Sequence, residues 1–288
     1  MSTPSPRHGG GTDLPVLLPF RPGGDAGSEG RPRLRARHGL MLALAILVSA
    51  GAAGAQAPGA APSILATLWK WTPLLLSGFL FNLAISVLAM AIGTGLGALL
   101  GIMQISLMPP LRFGSWFTTQ FFRNAPWLVL LFYCTFMLPF EVEVGPWAVP
   151  LPDWIKATFG LSLPVMANVS ELVRGGIQSI PYGQWEAAGS LGLARRQTIW
   201  MIILPQCVKR MLPPWMNLYA ILTMATVLAS IVGVNEVMTL TGQVLAAEGG
   251  RPELLVPIYA YVLLLFFIYC YPIARWTVRL ERRFAVIG

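Results

Sequence analysis

Between Gly183 and Gln206 the chain reads GQWEAAGSLGLARRQTIWMIILPQ, a charged, glycine-punctuated stretch in a sequence that is otherwise apolar from end to end. The chemistry these residue types can do is recognition. Trp185 to Leu191 holds helix-compatible residues around Glu186-Ala187-Ala188, Gly192 can end or sharply turn that helix, and Pro205 limits continuation of the next helical piece. Two short helices meeting at a bend are therefore expected. Ala187 and Ala188 carry almost no side chain, so another protein can approach the backbone closely, while Trp185 and Leu191 offer anchors and Glu186 a charge. The stretch reads as a docking element.

Residues for catalysis are lacking. Cys134, Cys207 and Cys270 have neither metal-type nor redox-type spacing, and both histidines, His8 and His38, fall in the N-terminal tail. No lysine follows a glycine, so a Gly-x-x-x-x-Gly-Lys phosphate loop is missing and ATP hydrolysis has to be supplied by another polypeptide. No cofactor, metal or catalytic group is expected.

A second set of polar residues lies within apolar runs. Glu171 and Arg174 are three apart, share a helix face and can neutralise each other, as a structural ion pair or as substrate ligands. Asn168, Asn217, Thr223, Thr226 and Ser230 either hydrogen-bond between helices or line a substrate path. Gly93, Gly97 and Gly101 form a small-residue stripe for close helix packing, within this subunit or against a second one.

The elements that position these residues follow from composition. Of the 288 residues 55% are hydrophobic and only 11% charged, and the mean hydropathy is +0.64, far from a soluble domain. The net charge of +8 lies on short connections and a tail, without a basic face interleaved with aromatics, so nucleic acid is not an expected partner and membrane lipid is. Residues 1–38 read as a disordered basic tail and 39–60 as a signal-like segment or an additional membrane helix. Five apolar runs follow, roughly 74–103, 115–139, 157–177, 212–234 and 253–275, each long enough for a tilted helix and lacking barrel-type alternation. An all-α polytopic membrane protein is expected, with residues 61–288 as its transmembrane domain. Basic residues (Arg112; Arg195, Arg196, Lys209 and Arg210; Arg275 to Arg283) alternate with acidic ones (Glu141, Glu143 and Asp153; Glu236, Glu248 and Glu253) from loop to loop. The positive-inside rule then puts the 183–206 stretch and the C-terminus in the cytoplasm, and 141–153 and 236–253 outside.

Glu186-Ala187-Ala188, three residues, Gly192, nine residues, Ile202, one residue and Leu204-Pro205 match every fixed position of the EAA motif, and the chain resembles the membrane subunits of ABC importers. FFRNAPWLVLLF, SELVRGGIQSIPYGQWEAAGSLGL and QTIWMIILPQCVKRMLPPWMNLY are similar to segments of the polar amino acid branch, over about residues 72–283. The resemblance implies a permease subunit of a bacterial inner-membrane amino acid uptake system. Its implied partners are cytoplasmic ATPase subunits, a second permease, identical or related, and an extracytoplasmic solute-binding protein. It implies that Trp185, Glu186, Ala187, Ala188, Gly192, Leu204 and Pro205 belong to the ATPase-coupling loop, 183–206. Arg123-Asn124-Ala125-Pro126 stands where the family usually has Arg-Gly-Thr-Pro, and Met224-Ala225-Thr226-Val227 where it often has Lys-Asp-Thr-Ser, so substrate contacts are not carried over there. A permease for a different solute and a stand-alone secondary transporter remain the alternatives.

Overall fold

The computed structural model describes residues 63–144 and 147–284; the expected tail and signal-like segment lie outside the described residues. Apart from one small hairpin, the regular structure among the described residues is helical. α1 is Ile64–Gln104, α2 Pro109–Asn124 and α3 Trp127–Met137. The two-stranded β1 (Glu141–Val144) and β2 (Trp147–Pro150) pair antiparallel, with Val142 opposite Val149. α4 is Asp153–Gln178, α5 Tyr182–Ser190, α6 Arg195–Val232, α7 Val237–Ala247 and α8 Leu255–Phe284, the last entered through a short turn at Pro252–Leu254. Among the described residues, three helices have the length and hydropathy to cross a membrane: α1, α6, and α8 with its entry turn.

Several expected boundaries move. The run at 115–139 is not one helix: Pro126 has no N–H and pushes the residue before it out of the helical region, so Ala125 is extended at ψ 137° and α2 stops there. The 236–253 loop is mostly helix α7, an apolar helix whose 11 residues are too few to cross alone. Pro205 does not limit its helix either. The turns at Thr198–Ile203 widen to a π-helix immediately before it, which accommodates the missing donor and the ring, and α6 runs on through Pro213 and Pro214.

α1 and α4 form the central pair. A Cβ built on Gly93, Gly97 or Gly101 would lie 2.5, 2.5 and 2.6 Å from Val165, Met166 and Val173 of α4, so the glycine stripe is buried within this subunit. Gln104 closes that pair by donating to Ser170 on α4 (2.7 Å) and to Thr119 on α2 (3.0 Å). The main apolar cluster joins α1, α4 and α6 through Ile85, Leu161, Val165 and Leu222, all fully buried. A second ties the start of α1 to α7 and α8 through Leu68, Leu75, Val244 and Ile258.

Candidate functional site: the loop between α4 and α6

α4 ends at Gln178, Pro181 caps the next turn with extended backbone, and α5 follows for nine residues. Its exit is a Schellman closure: Gly192 N–H donates to the Gly189 carbonyl (2.9 Å), Leu193 N–H to the Ala188 carbonyl (3.2 Å), and Gly192 adopts φ +73°. The left-handed conformation is where a Cβ is costly, which explains the glycine. The bend expected at Gly192 is present, and the chain reverses into α6.

Side chains clamp this element to the spans. Arg210 on α6 donates to the Ser179 carbonyl (2.6 Å) at the end of α4, and Arg195 to the Ile105 carbonyl (3.1 Å) at the end of α1. Arg195 also lies over the Trp185 ring at 5.9 Å, and Trp185 packs half-buried against the main core. Glu186 and Ala187 face solvent, as does Leu191, whereas Ala188 is only 1% exposed and therefore packs against its own chain rather than offering itself to a partner. Leu204 is half-buried and Pro205 exposed on the first turns of α6.

The candidate path residues do not converge. Asn168 donates to the Pro164 carbonyl, Thr223 to Tyr219 and Ser230 to Val227, all back onto their own helices. Asn217 is exposed on α6. Glu171 forms the expected pair with Arg174 (2.6 Å) and also meets Arg123 at 3.6 Å and Gln120 at 3.4 Å, tying α4 to the end of α2. Thr226 enters a second network between helices, and its partners were missed by sequence reasoning. Asn82 Nδ2 donates to Thr226 Oγ1 (3.0 Å) and Glu236 Oε2 (2.8 Å), and Asn82 Oδ1 accepts from Val237 N–H. Glu236 Oε1 accepts from Met238 and Thr239 N–H, capping α7. Asn82, Thr226 and Glu236 are completely buried. The available signal was Asn82 itself, the one carboxamide in the 74–103 run.

On the opposite side, Lys70 Nζ and Trp71 Nε1 both donate to Glu248 Oε1 at 2.8 Å, and Arg251 meets its other oxygen at 3.3 Å. These donors, that of Lys70 foremost, hold the Glu248 carboxyl below the ordinary glutamate range.

Residues 93–286 match the family described as "Binding-protein-dependent transport system inner membrane component". The chain belongs to this family. Like its other members it is a multi-pass inner-membrane protein and the permease component of an importer, which leaves no room for the stand-alone transporter. It is 31% identical over 215 residues to the "Inner membrane amino-acid ABC transporter permease protein YhdY" of Escherichia coli, covering 72% of this chain and 55% of YhdY. It is 32% identical over 213 residues to the "Probable amino-acid ABC transporter permease protein YckA" of Bacillus subtilis, covering 74% of this chain and 90% of YckA. The fold is that of a solved chain from "Crystal structure of an amino acid ABC transporter with histidines", at TM-score 0.66 and 24% identity, over 78% of this chain and 100% of that one.

Proposed function

We propose that this inner-membrane component carries an amino acid, and that α5 with the Gly192 bend is where a separate ATPase subunit acts on it. The observation that carries the coupling assignment is the geometry of α5. It is a short helix closed by a left-handed glycine, it presents Glu186 and Ala187 to solvent, and Arg195 and Arg210 bind its flanks to α1, α4 and α6. A push on α5 is thereby delivered to α1, α4 and α6 at once. The amino acid assignment is supported by YhdY and YckA, whose names both specify amino-acid permeases. The complex would contain cytoplasmic ATPase subunits, a second permease and an extracytoplasmic solute-binding protein, with Asn217, exposed on α6, on the face toward the path or the second permease.

Gly192→Val tests the coupling role. At φ +73° a β-branched residue is strained by about 1–2 kcal/mol, enough to reshape the closure while the spans keep their own packing. The expected outcome is normal membrane level with loss of ATPase pull-down, or of radiolabelled amino acid uptake. Gly183→Ala, with nothing within 4 Å of its new Cβ, is the matched control. Full uptake by Gly192→Val at normal expression refutes the coupling role; uptake that no amino acid competes for refutes the substrate class alone.

A further inference from the structure

At the end of the molecule that bears the arginines, two neighbouring cavities open where α1 turns into α2. The smaller, of about 480 Å³, has Arg195 and Arg196 at its rim and an apolar floor of Ile102, Leu111, Ile199 and Trp200. The larger, of about 650 Å³, shares Arg195 and adds Arg112 and the buried Gln104, whose Oε1 accepts no hydrogen bond among the described residues. Neither cavity is lined by a carboxylate. Three guanidinium groups thus line two cavities that share Ile105, Ser106, Leu107 and Arg195, with no carboxylate in either lining, and Arg112 and Arg196 have no carboxylate partner among the described residues.

We propose that this groove binds an anionic glycerophospholipid, its phosphate held by Arg195 and Arg196 with Arg112 beside it, and one acyl chain laid along the Ile102–Leu111–Ile199–Trp200 floor. Basic pockets between helices at the cytoplasmic boundary suit such headgroups, because an arginine fork matches a phosphate and the leaflet itself is negative. A free aqueous anion gains nothing from the apolar trough, whose walls come from α1, α2 and α6, the first and last of them long enough to span the bilayer. No residue of α5 lines the smaller groove, whereas Tyr182 and Trp185 of α5 line the larger one, so the lipid would sit beside the element that presents Glu186 and Ala187. A bound phosphate would hold Arg195, the side chain that joins Trp185 to the end of α1, so occupancy stiffens the link between the loop and the spans. The proposal rests on the groove and not on the transported solute.

Trp200 is a built-in probe, 54% exposed in the groove. The full-length chain in detergent micelles would be titrated with phosphatidylglycerol or phosphatidylcholine carrying brominated acyl chains. Quenching assigned to Trp200 is read as the difference from Trp200→Phe. Phosphatidylglycerol is expected to quench several times more strongly at equal mole fraction. Arg196→Gln, at an exposed position without hydrogen bonds among the described residues, should weaken it about fivefold, and Arg195→Gln similarly. Should Arg195→Gln fail to fold through loss of its bond to Ile105, Arg196→Gln decides. Equal quenching by the two lipids, or an unchanged Arg196→Gln titration, overturns the proposal. Displacement of the brominated phosphatidylglycerol by an equal concentration of soluble glycerol phosphate also overturns it, in favour of an aqueous anion site.

Discussion

Gly97→Ala is the substitution whose outcome the α1–α4 packing determines most directly. The added Cβ would sit 2.5 Å from the Met166 carbonyl oxygen and 2.7 Å from Val169 Cβ, where ordinary contact is 3.4–4 Å. A backbone oxygen cannot rotate aside, so the two helices must part by about 1 Å, and a gap of that size forfeits roughly a quarter to a half of each contact it opens. The loss extends to Gly93 and Gly101, which depend on the same approach. Overpacking of this kind costs about 1–3 kcal/mol. Gly95→Ala, on the same helix with nothing within 4 Å, should instead gain about 0.5–1 kcal/mol from reduced backbone entropy. The two variants are therefore expected to differ by about 1.5–4 kcal/mol. The assay is thermal unfolding in detergent with a thiol-reactive dye, since Cys134, Cys207 and Cys270 are free and buried until the fold opens. If Gly97→Ala melts at or above Gly95→Ala, the stripe is not the α1–α4 contact. A defect seen only in the assembled transporter would move it to the surface between permeases.

Asn82→Leu should destabilise the chain by roughly 2–4 kcal/mol, because it strips a donor from the buried Glu236 and an acceptor from Val237 N–H. Ser77→Ala, at an exposed position of the same helix, should stay within about 0.5 kcal/mol of wild type in the same melt; equal effects would show that the network does not brace α1 against α7. Glu248→Gln should lower the melting temperature at neutral pH. The native carboxyl titrates below the ordinary value of about 4.3, so its contribution is complete above that value and fades as pH falls through the lowered one. The difference between variant and wild type should accordingly narrow as the pH of the melt falls below the ordinary glutamate value, and a gap independent of pH contradicts the charge-based account.

How far the fold could be read from the sequence differs from element to element. Runs of about 20 apolar residues and loop charges carry their information locally, so α1, α6 and α8 were visible in outline. Gly192 was legible for the same reason: a left-handed helix exit favours glycine whatever surrounds it. The failures occur where local rules compete. Pro126 divides an apolar run, whereas Pro205, Pro213 and Pro214 do not, because a π-turn and the following spans absorb them. Ala188 was grouped with Ala187 as an open surface, yet a helix places adjacent residues about 100° apart and only one of them faces out.

The amino-acid sequence alone determined that this chain crosses a membrane through helices, which end carries the arginines, and that a bent polar element interrupts the spans between α4 and α6. Each of these follows from hydropathy, charge or a backbone preference that acts over a few residues. Only the tertiary structure decided which partners the polar groups take. Asn82 and Glu236 are 154 residues apart and meet at 2.8 Å. Glu171 gathers Arg123 as well as Arg174, and the glycine stripe is filled by α4 of the same subunit. Pairings across helices depend on how spans rotate and cross, which side-chain packing sets collectively and no local pattern encodes.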